Sequence, residues 1–233
     1  MFIYVRMIYV IVLLLVIIAF LFTIERKATQ AFEPDLERDG LILMDTPSRT
    51  DILNVLPEGY VFLDYTYTIH GCTLSTFHRD VTSSQYVFKT KHPVYTFITY
   101  EYDGPALSVC PGSHKTAPLL YSRPVTVNAK SVLFNCDVVH AGSMNLEKKP
   151  RKAVQYKIAH VDDLDTLKHL DGIRKVKRGD CDKRTNVTLD VLYRKLSIIF
   201  SYVINHHMTP YLQNRESTTL CKLIGEERCF YNV

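Results

Sequence analysis

The chain has 233 residues, 47% of them hydrophobic, and a formal net charge of +4. That length and apolar share suffice for one globular domain with a core of its own, and so balanced a charge speaks against a dedicated nucleic-acid binder, which carries a clustered basic face. Aromatic residues make up 11%, with Tyr dominant and Trp absent, a composition suited to strands.

The first predicted element spans a membrane. Residues 7–24 (MIYVIVLLLVIIAFLFTI) are uncharged and apolar on every face, and a bilayer crossing needs roughly 17–25 such residues. A cleavable signal peptide is the rival, but its apolar segment is usually about 7–15 residues long and closes on small residues. Here the run ends in Glu25-Arg26-Lys27, with Thr29-Gln30-Ala31 a weak cleavage site. The expectation is an uncleaved signal-anchor over 1–27, a single transmembrane span with the membrane as partner. Arg6 on one flank nearly balances Arg26 and Lys27 on the other, so basic residues barely choose the orientation. The short N-terminal tail favours an N-in arrangement with the domain lumenal or extracellular, and the sequon Asn186-Val187-Thr188 fits that side.

Residues 28–57 read as a polar stalk with a short leading helix near Ser48–Leu56, punctuated by Glu33-Pro34 and Thr46-Pro47-Ser48. Residues 58–162 read as successive strands: Tyr60–Ile69, Cys72–Asp80, Tyr86–Lys89, Val94–Tyr102, Ala106–Cys110, Leu119–Val127, Ser131–Cys136 and Lys152–His160. Turn signals separate them at Gly71, Gly104-Pro105, Pro111-Gly112, Arg123-Pro124 and Gly142. No helical period intervenes, which argues against a parallel βαβ sheet and for a sandwich or barrel. Residues 163–233 change character. Lys168–Arg184 is a charged, loop-like stretch whose alternative role is contact with an anionic partner. Leu189–Ile204 has helical apolar spacing and is expected to pack outside the β core. The fold class is thus mostly β with flanking helices.

Six cysteines occur without a C-x-x-C pair, so a zinc ribbon is not expected. Cys72, Cys110 and Cys136 lie in apolar runs and read as small core residues. Cys181, Cys221 and Cys229 lie in the polar C-terminal part, where a lumenal domain would pair two of them; the sequence does not choose which two.

The chemistry-bearing residues lie in the middle third, in a set order: His78-Arg79-Asp80, Asp137-Val-Val-His140, and Arg151 at the head of a strand. Residues two apart on a strand share a face, so His78 and Asp80 are able to grip one ion. With His140 they form two neutral imidazoles and one carboxylate, the facial set that suits non-haem Fe(II) and leaves adjacent positions open. Arg151, eleven residues after His140, offers a guanidinium fork to a co-substrate carboxylate. The triplet alone is a weak signal, since His160-Val-Asp162 and His169-Leu-Asp171 repeat it. Neither is followed by a strand-rich segment leading to a distal His and an Arg, so both read as surface or strand-end residues. His70 and His92 read as structural, and His114 as part of an architectural turn.

The stretch around these residues resembles the phytanoyl-CoA dioxygenase-like branch of the Fe(II)/2-oxoglutarate oxygenases. Asp103-Gly-Pro-Ala-Leu-Ser-Val-Cys-Pro-Gly-Ser-His-Lys115 is similar to that family's segment after its metal-binding triplet, and His140-Ala-Gly-Ser-Met-Asn145 with Arg151 is similar to its distal segment. The resemblance covers roughly residues 60–160. It departs at Asn128-Ala129-Lys130, where the family has a Gly-Asp pair. It implies a double-stranded β-helix (jelly-roll, cupin-like) with His78, Asp80 and His140 as iron ligands. It also implies Arg151 as the anchor of 2-oxoglutarate, helped by Ser143 or by a hydroxyl from Thr96, Thr99 or Tyr100. The implied cofactors are Fe(II) and 2-oxoglutarate, with ascorbate as reductant, and the implied activity is hydroxylation of a protein, lipid or small molecule. The alternative is a catalytically inactive anchored β-domain serving as receptor, envelope or scaffold component.

Overall fold

The computed structural model describes residues 2–198 except 23, 30–31, 73–74, 103, 105, 117–122, 145–148, 180, 182–187, 189–190, 193 and 196. Asn186 and Val187 of the sequon, Asn145, Cys221 and Cys229 lie outside the described residues. So does part of the expected C-terminal helix 189–204, whose described backbone is helical at 191–192, 194–195 and 197–198.

Helix α1 (Phe2–Phe22) contains residues 7–22 of the apolar run, and its described side chains from Met7 to Ile18 stand exposed. Among the described residues no helix is long and apolar enough to cross a membrane, so they lend the transmembrane expectation for 7–24 no support.

The segment expected as a stalk contributes to the β structure. Strand β1 (Arg26–Lys27) pairs in parallel with a later strand, and β2 (Leu41–Met44) lines a sheet edge. The helix expected near Ser48 forms as α2 (Arg49–Asn54), closed by a capping box. Ser48 Oγ accepts from the Asp51 N–H at 3.1 Å, and the Asp51 carboxylate accepts from the Ser48 N–H at 2.9 Å.

Strands β3 (Tyr60–Phe62) and β4 (Tyr65–Gly71) follow. Two expected strands do not form. Among the described residues of 72–80 a single bridge occurs, at His78. Residues 85–88 coil into α3 (Gln85–Phe88), which ends at Lys89 in the left-handed region, φ 56°. Then come β5 (Tyr95–Tyr100), β6 (Leu107–Val109), β7 (Val125–Val127), β8 (Ser131–Asn135), β9 (His140–Gly142) and β10 (Arg151–His160). The charged stretch expected as loop forms β11 (Ile173–Gly179), an edge strand running parallel to β4. Its exposed cations suit an edge that must not recruit another strand.

The strands build two sheets. The larger has the order β11-β4-β10-β5-β8-β2, with β3 also paired to β10; the smaller is β1-β7-β6-β9. Alternation sorts their side chains. Ile98, Tyr100, Val132, Phe134 and Ala153 of the larger sheet pack against Leu107, Val109, Val125 and Val127 of the smaller. The opposite parity, with Tyr95, Phe97, Leu133 and Ile158, packs under Ile52 of α2. The chain is mostly β, with two facing sheets and few helices, consistent with a jelly-roll.

Cys72 is not a core thiol. It forms a disulfide with Cys181, 109 residues away, Cα to Cα 4.8 Å. The parallel pairing of β11 on β4 causes this, because Gly71 opposes Gly179 and each cysteine follows its glycine by one or two residues. Gly71 must be glycine: at φ +88° an added Cβ would meet the Gly179 carbonyl oxygen at 2.1 Å. Cys110 and Cys136 are free and buried, as expected of core cysteines.

Candidate metal centre

His78 and His140 meet through their backbones first. Each donates its N–H to the other's carbonyl at 2.9 Å, an antiparallel bridge that sets the two side chains side by side on one face. The imidazole centroids are 4.6 Å apart. The Asp80 N–H donates to the Cys136 carbonyl at 2.9 Å, which fixes the carboxylate beneath them.

Both rings present the same nitrogen. His78 Nδ1 lies 2.7 Å from the Thr76 carbonyl oxygen and His140 Nδ1 lies 2.9 Å from that of Val138. A carbonyl only accepts, so each Nδ1 carries the proton and each Nε2 keeps its lone pair. A backbone carbonyl that fixes the tautomer in this way is the usual outer partner of a metal-bound histidine. The two Nε2 atoms lie 3.8 and 3.6 Å from Asp80 Oδ1, a separation one first-row ion spans with bonds of about 2 Å.

The fit is tested by an unsatisfied atom. His140 is 2% exposed and its Nε2 is buried without a hydrogen-bond partner. Such an atom is costly unless something fills the position. Burial pushes the imidazole down to about 4, although Asp80 opposes it, so the ring is neutral at physiological pH and free to coordinate. Burial alone would raise Asp80, but Lys157 and the two imidazoles hold it well below the usual carboxylate range. His78, Asp80 and His140 together can hold a metal ion, and two imidazoles with one carboxylate suit a divalent transition metal.

Lys157 is the residue that sequence reasoning missed. It is 1% exposed, and its Nζ donates to Asp80 Oδ2 at 2.7 Å and to Thr96 Oγ1 at 2.8 Å. Thr96 Oγ1 in turn donates to Asp80 Oδ2 at 2.5 Å. Oδ2 is thereby occupied, and Oδ1 is left to the imidazoles. A signal was present in the sequence: Ala153, Gln155, Lys157 and Ala159 share one parity of β10, and a lysine at a core-facing position of that register is out of place unless it has a task.

The expected cofactor residues divide. Arg151 and Ser143 are brought together, with Arg151 Nη1 donating to the Ser143 carbonyl at 2.7 Å and to its Oγ at 2.9 Å. The guanidinium also lies over the Tyr102 ring at 5.7 Å. Tyr100, on the same face as Arg151, has a buried hydroxyl with no partner, and burial raises its pKa well above the ordinary value. Thr99 does not join them. It lies three residues from Thr96 and therefore on the other face of the sheet. There it lines a groove of about 290 Å³ with Arg49, Phe62, Phe97 and Tyr156. Thr96 serves Asp80 rather than a co-substrate.

The other histidines stay apart from this centre. His114 Nε2 lies 3.2 Å from the Glu37 carbonyl oxygen, and His169 donates to the Thr82 carbonyl at 2.7 Å while stacking on Phe88. His92 and His160 form a separate pair with Asp162.

No family model and no curated protein matches the chain. Among solved structures it is similar to a non-heme monooxygenase, ThoJ in a nickel complex, at 14% identity over 48% of this chain and 49% of that one, TM-score 0.38. It is also similar to the epimerase SnoN in complex with Fe3+, alpha ketoglutarate and a nogalamycin compound, at 13% identity over 62% and 93%, TM-score 0.38. A third is EctD from S. alaskensis, at 13% identity over 67% and 92%, TM-score 0.39. The chain spans about half the length of ThoJ. At these TM-scores the likenesses assign neither a substrate nor a reaction to the chain.

Proposed function

We propose that the chain is an Fe(II)- and 2-oxoglutarate-dependent dioxygenase of the phytanoyl-CoA dioxygenase-like type, a double-stranded β-helix that hydroxylates a substrate the chain does not name. The observation that carries this reading is the buried, partnerless Nε2 of His140, aimed at the same point as His78 Nε2 and Asp80 Oδ1. Fe(II) with a bound 2-oxo acid supplies dioxygen activation and oxidation of a C–H bond. The chain's own residues do the holding and orienting. The carbonyls of Thr76 and Val138 fix both ring tautomers, and Thr96 and Lys157 turn Asp80 so that a single oxygen faces the rings. Arg151, steadied on Ser143, presents the rest of its fork to a carboxylate, and the Tyr100 hydroxyl is a further donor for the same anion.

The location belongs to the proposal. The exposed apolar side chains of α1 support a membrane anchor, and the Cys72–Cys181 disulfide supports an oxidising compartment, hence a lumenal or extracellular domain. One observation favours the inactive alternative: Lys157 already neutralises Asp80 through an ion pair of its own.

Incubation of the full chain with Fe(II), ascorbate and 2-oxoglutarate separates the two. The enzyme yields succinate, and Arg151→Ala raises the 2-oxoglutarate concentration for half-maximal turnover by about 10–100-fold, the worth of a charge-assisted bidentate contact. Absence of succinate under every condition, with cell lysate supplied as a substrate source, overturns the enzymatic reading.

A further inference from the structure

A second cluster of metal-ligating side chains stands outside the centre described above. His92, His160 and Asp162 offer two imidazole nitrogens and one carboxylate oxygen, all within 4.8 Å of one another. His92 comes from the turn that leads into β5, His160 ends β10, and Asp162 lies in the 3₁₀ turn Val161–Asp163 that follows. The third member of the cluster is distant in sequence from the pair His160-Val-Asp162; the fold brings His92 to it from 68 positions upstream.

The donor atoms converge. His92 Nε2 and His160 Nδ1 each lie 3.6 Å from Asp162 Oδ2, close to the roughly 3.3 Å edge of a tetrahedron with bonds of about 2 Å. The two rings stand 3.8 Å apart at 33°. His160 Nδ1 accepts a long hydrogen bond, 3.2 Å, from the Asp162 N–H, so it is the unprotonated ring nitrogen, and an ion bound there takes its lone pair in place of that bond.

The cluster is held by its surroundings. Asp163 is buried, and its two carboxylate oxygens accept from the Lys91 N–H at 2.7 Å and the His92 N–H at 2.9 Å. The turn bearing His92 is thereby fixed to the turn bearing Asp162. The His160 ring sits against Tyr60 edge-on and over Gly59, where an added Cβ would meet Nε2 at 2.3 Å. Asp162 is 52% exposed on its side chain, so the cluster is open to solvent.

We infer that His92, His160 and Asp162 form a second divalent-metal site, selective for a zinc-like ion, that clips the turn before β5 to the end of β10. Two imidazoles and one carboxylate suit zinc, nickel or copper; magnesium and calcium prefer all-oxygen shells. The site needs neither the iron centre nor its chemistry.

The test is zinc titration of the metal-free full chain, with bound metal counted after desalting. Wild type retains one zinc equivalent more than His92→Ala, and Asp162→Asn loses the same equivalent. Asp80→Ala keeps it, and excess magnesium does not displace it. At zinc about 100-fold above the dissociation constant, wild type gains about 5–10 °C more in Tm than His92→Ala. Equal stoichiometry in wild type, His92→Ala and Asp162→Asn overturns the inference. So does a bound equivalent that vanishes with Asp80 alone, or one that magnesium displaces. The His92 side chain is partly exposed, and its backbone bond to Asp163 survives the substitution. The variant therefore folds, as its far-ultraviolet circular dichroism will verify.

Discussion

Two buried cations in this molecule are each paired with a carboxylate, and the pairs end differently. Arg194, 1% exposed, is closed on every side. Its Nε and Nη2 donate to the two Glu25 oxygens at 2.6 and 2.9 Å, and its Nη1 donates to the carbonyls of Gly142 and Ser75. Glu25 Oε2 also accepts from Ser108 Oγ at 2.6 Å. Lys157 is equally buried, but its partner Asp80 is only half used: Oδ2 takes Lys157 and Thr96, while Oδ1 faces two imidazoles at distances too long for hydrogen bonds. A saturated pair is a clamp, here tying the chain before β1 and the C-terminal helical segment to the end of β9. A pair with one oxygen left over, beside an orphaned nitrogen, can take a metal ion.

The largest effect should come from breaking the open pair at its carboxylate. Asp80→Ala removes a metal ligand and strands Lys157 without its counter-charge. Loss of one partner from a buried pair costs about 3–5 kcal/mol. The expected result is loss of 2-oxoglutarate turnover, loss of the metal equivalent at the triad, and a urea midpoint lowered accordingly. Retention of tight metal binding would show that Oδ1 is not a ligand and would erase the difference between the pairs.

Lys157→Met probes the same pair from the other side. Without metal, the Asp80 charge is left buried, at about 3 kcal/mol, or about 6–12 °C in Tm for a chain of this size. A divalent ion neutralises that charge, so added metal should raise the Tm of Lys157→Met by more than it raises that of wild type. An equal gain in both proteins would mean that Lys157 is only wall material.

The sequence shows one of these pairs in outline and hides the other. His78, Asp80, His140 and Arg151 are legible because local periodicity places the first two on one face and the order of motifs supplies the rest. Their support is less legible. Lys157 announces itself only once the parity of β10 is known, and Thr99 is indistinguishable from Thr96 until the strand register assigns each to a face. Residues 72–80 look like a strand because Cys72, Leu74 and Phe77 alternate with threonines and Ser75, yet among the described ones a single bridge forms, since His78 meets β9 side-on and the chain then turns into Val81–Ser83. The edge strand β11 looks like a charged loop because an edge exposed on both faces has no apolar alternation to display. Arg194 and Glu25 are 169 residues apart, and no local pattern marks either. The Cys72–Cys181 bridge is hidden for the same reason, because it follows from β11 lying parallel to β4.

The smallest effect should come from the closed pair, and it should depend on pH. Burial pushes the Glu25 carboxyl up, but the hydrogen bonds and charge of Arg194, with Ser108 and Thr126, outweigh it, so the folded value lies below the ordinary 4.5. The unfolded chain therefore takes up the proton first as the pH falls. Stability from Glu25 is fully present above the unfolded value and is lost as the pH drops below about 4.5 through the folded one. Glu25→Gln keeps the shape and removes the charge. At pH 7 it should cost about 2 kcal/mol, less than a fully buried pair because Glu25 is partly exposed, with metal stoichiometry and turnover unchanged. Urea unfolding of wild type and variant at pH 7 and at pH 3.5 should show that gap narrowing at the lower pH. A gap that stays constant would mean the carboxylate charge contributes nothing, and that the clamp is held by Arg194 and the carbonyls of Ser75 and Gly142 alone.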